Sequence, residues 1–121
     1  LLSGQKCLTG EKVLELFQQI AHRGGEGVSH AVRMVITRDG KLKSVTLNGE
    51  PIDPAKSYRI ATLDYLAEGN DQLVAFKSGT DVVAPKAKEN NVRYIIMNYL
   101  REMKDQGKVV ESRIEGRCVV E

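Results

Sequence analysis

His30-Ala-Val-Arg-Met-Val-Ile-Thr-Arg-Asp-Gly-Lys-Leu-Lys-Ser-Val-Thr-Leu-Asn-Gly49 is the stretch that decides the fold of this chain. Two runs rich in β-branched and apolar residues, 30–37 and 41–48, flank Arg38-Asp39-Gly40. Asp-Gly between such runs is a strong hairpin signal, because both residues tolerate the positive φ that a tight reversal needs. Asn48-Gly49 marks a second turn. Pro51 to Lys56 follows as a loop set by its two prolines. A third strand is then expected over 57–63, so the centre of the chain is antiparallel-leaning sheet.

On the N-terminal side, residues 5–9 read as a short strand ending at Thr9, a helix N-cap. Val13, Leu16, Phe17 and Ile20 recur at helical spacing, with Glu11, Glu15, Gln18 and Gln19 around them. His22-Arg23-Gly24-Gly25 closes that helix, with basic side chains over the last carbonyls and glycines able to take a left-handed cap. On the other side, Val92, Ile95, Ile96, Tyr99, Leu100 and Met103 form one apolar helical stripe. Lys88, Glu89, Arg93, Arg101, Glu102 and Asp105 lie mostly opposite it. Asp105-Gln106-Gly107 ends the second helix, and Ile114 to Val120 is expected as a last edge strand. The fold class is therefore α+β, a mixed, mostly antiparallel sheet packed by helices.

The 121 residues make a single domain, 1–121, with room for one core. Its 41% hydrophobic and 28% charged residues fit a globular protein. Eighteen basic and sixteen acidic residues are interspersed and leave a net charge of +2, too balanced for a nucleic-acid footprint. A nucleic-acid binder rests only on a pI near 8.6. No window approaches the roughly 18 apolar residues of a membrane span. The chain opens on Leu1 with neither an initiator Met nor a signal peptide, as expected of a processed or trimmed chain.

Cys7 and Cys118 sit near opposite ends, each in a candidate strand. Were those strands paired, a disulfide would close nearly the whole chain and contribute about 4–5 kcal/mol in the chain-entropy model. The alternative is two buried thiols. With no histidine near them in sequence, a metal site is not expected there.

Spacing alone assembles no catalytic constellation: there is no nucleophile elbow, HExxH or P-loop. His22 and His30 read as a helix cap and a loop residue. Gly24-Gly25-Glu26-Gly27 follows a helix rather than preceding one, so its amides lack the phosphate-cradling geometry. The remaining candidate is Ala61-Thr-Leu-Asp-Tyr-Leu-Ala-Glu-Gly-Asn-Asp-Gln-Leu-Val-Ala-Phe76, a strand that runs into a turn. Tyr65 either packs half-buried on the sheet or offers its ring to a planar ligand, with base stacking contributing about 1–3 kcal/mol. Asp71 is either ordinary turn chemistry or a carboxylate accepting two hydrogen bonds from a vicinal diol, as an acidic residue holds a ribose.

Gly40 to Asp71, which carries Val45-Thr-Leu-Asn-Gly49, Pro51-Ile-Asp-Pro54, Tyr58-Arg-Ile-Ala-Thr62 and Gly69-Asn-Asp71, resembles the C-terminal domain of the 5'-nucleotidase family. Leu8-Thr-Gly10 and Gly27-Val-Ser29 also fit, and with the last helix the likeness covers most of the chain. The resemblance implies a substrate-binding domain that rotates to deliver a nucleotide to a metallophosphatase domain. That catalytic domain, with two divalent metals such as Zn or Mn, is not expected within these residues. Tyr65 takes the place of an aromatic that stacks on the base, and Asp71 that of the aspartate on the ribose hydroxyls, with Gly69 and Asn70 beside them as substrate-binding loop.

Two departures stand out. The family's Gly-Gly-Asp is Gly69-Asn70-Asp71, which puts a side chain where a left-handed glycine is expected. The family's Asn-x-Gly-Gly-x-Arg and Pro-Phe segments have no counterpart here, so the expected chain is the latter part of the domain. The implied function is nucleoside or nucleotide binding within a nucleoside-monophosphate hydrolase, with no catalytic or metal-binding residue in this chain. The rival is a non-catalytic interaction or scaffold module that kept the fold and lost the ligand. Expected partners are the nucleotide and the metallophosphatase domain or subunit, with a homo-oligomer through an open sheet edge as a further candidate. The resemblance implies a periplasmic, secreted or cell-surface location.

Overall fold

In the computed structural model, which describes residues 1–83 and 88–121, seven strands divide between two sheets. The first holds β1 (Ser3–Thr9) between β5 (Ser57–Leu63) and β6 (Thr80–Val83), antiparallel to both. The second runs β4 (Glu50–Pro51), β3 (Leu42–Leu47), β2 (Val32–Ile36) and β7 (Cys118–Val120). Among the described strands only the β2–β7 pair is parallel, with Met34 opposite Cys118. The expected antiparallel-leaning α+β architecture is what the chain adopts.

The hairpin forms where Asp39-Gly40 predicts it. Gly40 takes φ 80°, and Thr37 and Lys41 exchange backbone and hydroxyl hydrogen bonds across the reversal. Along β2 the burial alternates with period two: Val32, Met34 and Ile36 face the core and Arg33 faces out. A register shift between Val35 and Ile36 bends the pair near its turn.

Helix α1 (Gly10–His22) supplies the rest of the core. Thr9 caps it by accepting from the Lys12 amide, and Val13, Leu16, Phe17, Ile20 and Ala21 are buried against both sheets. Gly10 is fixed by close approach. A Cβ there would lie 1.8 Å from the Asp53 carbonyl oxygen, and the Gly10 amide donates to Lys56 O at 2.6 Å. Arg23, Gly24 and Gly25 end the helix, the glycines at φ 90° and 121°.

Four features depart from the sequence reading. The connection after β5 is a helical turn, α2 (Asp64–Ala67), with the Asp64 carboxylate in its first turn, where it suits the positive end of the helix. Strand β6 has no signal in the sequence; its four residues carry no period and are defined by pairing with β1. The last strand is only Cys118–Val120, while Ile114 is fully exposed. Finally, Cys7 and Cys118 lie on strands of different sheets and are free thiols, so the strand pairing on which a disulfide depended does not occur.

Helix α3 (Val92–Asp105) has the expected stripe and C-terminal end, while Lys88 and Glu89 fall in a separate 3-10 turn before it, and none of its residues is buried. Ile95, Ile96, Tyr99 and Leu100 are each about half exposed. The helix is tethered at its start, where the Val92 amide donates to Leu1 O at 3.0 Å and Asn91 pairs with Leu2.

Candidate functional site

The loop after β5 is built by left-handed backbone. Gly69 (φ 87°), Asp71 (φ 55°) and Gln72 (φ 66°) all lie in the region that costs an ordinary side chain, and Asp is among the residues that enter it most readily. A Cβ at Gly69 would meet only the flexible Lys77 side chain, 2.8 Å from its Cε, so the positive φ is what favours glycine there. Asn70, in the place of the family's second glycine, is not among the left-handed positions. Its side chain instead braces the turn, with Nδ2 donating to Tyr65 O at 2.7 Å. The departure from Gly-Gly-Asp therefore falls where a side chain is free of strain.

Tyr65 and Asp71 are brought together. The Tyr65 hydroxyl donates to Asp71 Oδ1 at 3.3 Å, and Tyr65 is 47% exposed. On the far side, Arg23 Nη2 lies 3.6 Å from Asp71 Oδ2, while Nη1 of the same guanidinium donates to Glu26 Oε2 at 2.7 Å. The loop is seated by its apolar end, since Leu73, Ala75 and Phe76 are buried. The Ala75 amide, in the 3-10 turn Val74–Ser78, donates to Gln19 Oε1 of α1. An exposed ring and an exposed carboxylate thus stand side by side on a loop seated against α1, a pair able to stack on a planar group and accept from hydroxyls.

An apolar cleft lies elsewhere. It encloses about 420 Å³ between α1, β5 and the second sheet, is lined mainly by apolar side chains such as Phe17, Val32 and Ile60, and includes neither Tyr65 nor Asp71. Of the two histidines, His22 sits in the last turn of α1, and His30 Nδ1 meets Glu115 Oε2 at 2.7 Å. Among the described residues no three His, Cys, Asp or Glu side chains gather as a metal site. No described helix is long and apolar enough to cross a membrane. Sequence reasoning missed Arg23 and Glu26 as neighbours of the loop. Arg23 reads as a helix terminator, and only the fold brings it to Asp71.

The family description "5'-nucleotidase, C-terminal domain" matches residues 6–78, a segment that runs from β1 through the Tyr65–Asp71 loop. The chain belongs to the 5'-nucleotidase C-terminal domain family. Protein UshA of Escherichia coli (strain K12) is 37% identical over 67 residues, which cover 53% of this chain and 12% of UshA. The cell wall protein Lmo0130 of Listeria monocytogenes is 32% identical over 80 residues, 65% of this chain and 10% of that protein. The chain therefore spans about a tenth of the length of these curated relatives. Among solved structures, a 5'-nucleotidase precursor from Thermus thermophilus superposes with a TM-score of 0.77. It is 24% identical, with 98% of this chain and 25% of that one covered, and this likeness establishes the shared fold.

Proposed function

We propose that this 5'-nucleotidase C-terminal domain binds the nucleoside part of a nucleotide and serves a phosphoric-ester hydrolase whose bond-breaking groups lie outside these residues. The observation that carries the reading is the juxtaposition of the exposed Tyr65 ring with the Asp71 carboxylate at 3.3 Å on a braced loop. In it, Tyr65 stacks on the base, and Asp71 accepts from the ribose 2'- and 3'-hydroxyls as Tyr65 yields its hydrogen bond. Gly69 and Asn70 hold the two in place.

The hydrolytic step falls to a metal-holding domain or subunit in this reading. Two-metal phosphoryl chemistry requires clustered ligands holding ions about 3.5–4 Å apart, and the described residues contain no such cluster. The reading also carries the periplasmic or cell-surface setting. One similar protein is itself named a cell wall protein.

Calorimetric titration of the 121-residue chain with adenosine and AMP tests the proposal. Saturable binding is expected, weakened about tenfold or more by Asp71→Asn, since hydrogen bonds to a charged group are worth about 1.5–3 kcal/mol. Tyr65→Ala is expected to weaken it similarly through lost stacking. A folded chain giving flat traces with both ligands would leave the interaction-module reading in its place. Phosphate release from AMP by the pure, metal-supplemented chain would refute the division of labour.

A further inference from the structure

Asp71 is held from two sides, and the second side belongs to no part of the loop. Arg23 caps α1, where the helix carbonyls leave a partial negative charge that disfavours a nearby carboxylate. Its guanidinium spans two acids: a short hydrogen bond to Glu26 at 2.7 Å and a longer charge contact with Asp71 at 3.6 Å. The long contact matters, because 3.6 Å lies beyond hydrogen-bond range. Arg23 therefore fixes the carboxylate electrostatically while leaving the lone pairs of Oδ2 available. The Arg23 side chain is 27% exposed, against 43% for Asp71, so the cation is the more enclosed partner and the carboxylate the presented one.

We infer that Arg23 is a positioning residue for diol recognition: it orients Asp71 toward a vicinal diol, and Glu26 limits how much of the guanidinium is free to do so. This rests on the reading of Asp71 as the diol acceptor. Arg23 touches no ligand in this scheme. Its effect passes through Asp71 and so concerns the hydroxyls rather than the base. A planar fork that reaches two carboxylates at once is a property of arginine, and lysine reproduces only the charge.

The test compares binding of adenosine and 2'-deoxyadenosine by calorimetry in the 121-residue chain, wild type against Arg23→Gln, Arg23→Lys, Glu26→Gln and Asp71→Asn, with near-ultraviolet circular dichroism reporting the fold. Wild type is expected to prefer adenosine. Arg23→Gln should cut that preference about two- to fivefold, the range of partly exposed ion pairs, with little change for the deoxynucleoside. Arg23→Lys should restore part of it, and Glu26→Gln should keep or widen it. The double variant Arg23→Gln/Asp71→Asn should discriminate no worse than Asp71→Asn alone. Equal losses for both nucleosides in Arg23→Gln, or a Glu26→Gln loss matching it, would assign Arg23 a merely structural role and overturn the inference. A preference abolished by Asp71→Asn but untouched by Arg23→Gln would overturn it while leaving the diol-acceptor reading intact. A preference that survives Asp71→Asn, or is absent from wild type, would remove that reading and the inference with it.

Discussion

Helices α1 and α3 are alike in length, capping and apolar period and opposites in the fold. They are 13 and 14 residues long, and each is capped at its N-terminus by a side-chain oxygen, from Thr9 and Asn91. Each carries an apolar stripe at helical period. Yet α1 buries six residues between two sheets and α3 buries none. The comparison separates two things that periodicity runs together. The pattern says which face of a helix is apolar; what stands opposite that face is decided by the rest of the chain. α1 follows β1 directly and precedes the β2–β3 hairpin, so both of its neighbours fold back onto it.

The largest expected effect breaks the pair apart. Leu16 is 3% exposed at the centre of the α1 face, and Leu16→Ala should destabilise the chain by about 2–5 kcal/mol through lost burial and a residual cavity. Ile96, its counterpart on α3, is 53% exposed, and Ile96→Ala should stay within about 0.5 kcal/mol. Urea denaturation with an unchanged slope reads both. Comparable midpoint shifts for the two variants would mean that the α3 face is covered in solution.

The two caps sharpen the same contrast at smaller scale. Thr9→Ala removes an acceptor from a helix on which the core depends, and about 1 kcal/mol of global stability should go with it. Asn91→Ala removes the equivalent acceptor from α3. It should lower helical ellipticity and speed amide exchange in α3 while the urea midpoint holds, because α3 opens without opening the core. A midpoint that moved as far for Asn91→Ala as for Thr9→Ala would show α3 and the core unfolding as one unit.

What could be read from the sequence follows the same division. Local chemistry was legible: the Asp39-Gly40 hairpin, the Thr9 cap, the glycines that end α1 and the C-terminal end of α3 each rest on a few adjacent residues. Non-local chemistry was not. Strand β6 is defined by its pairing with the edge of β1, and Cys7 and Cys118 are apart because their strands join different sheets. In the candidate site, Tyr65 and Asp71 were legible because a single short turn keeps them together. Arg23 was hidden by a long stretch of intervening chain that only the packed α1–loop contact bridges. The left-handed geometry expected at Asn70 is displaced for a local reason: the backbone places the left-handed positions at Gly69, Asp71 and Gln72, around it rather than on it.

The smallest effect concerns how the chain beyond α3 returns to the core. After the exposed segment around Ile114, Glu115 accepts from Arg117 and meets His30, and Arg117 in turn donates to Val28 O, just before β7 pairs with β2. The Arg117 guanidinium, and secondarily His30, hold the Glu115 carboxyl below the ordinary glutamate range. A carboxyl with a lowered folded pKa contributes attachment in full above its unfolded value and loses it as pH falls through the folded value. The tail should therefore stay docked at neutral pH and loosen in acid, seen as faster exchange of the β7 amides while the β2–β3 pair stays protected. Nuclear magnetic resonance titration should place Glu115 lower in wild type than in Arg117→Gln, with a smaller rise in His30→Ala. The order of those two rises is the decisive point, since a larger one for His30→Ala would make the histidine, rather than the arginine, the group that anchors the tail.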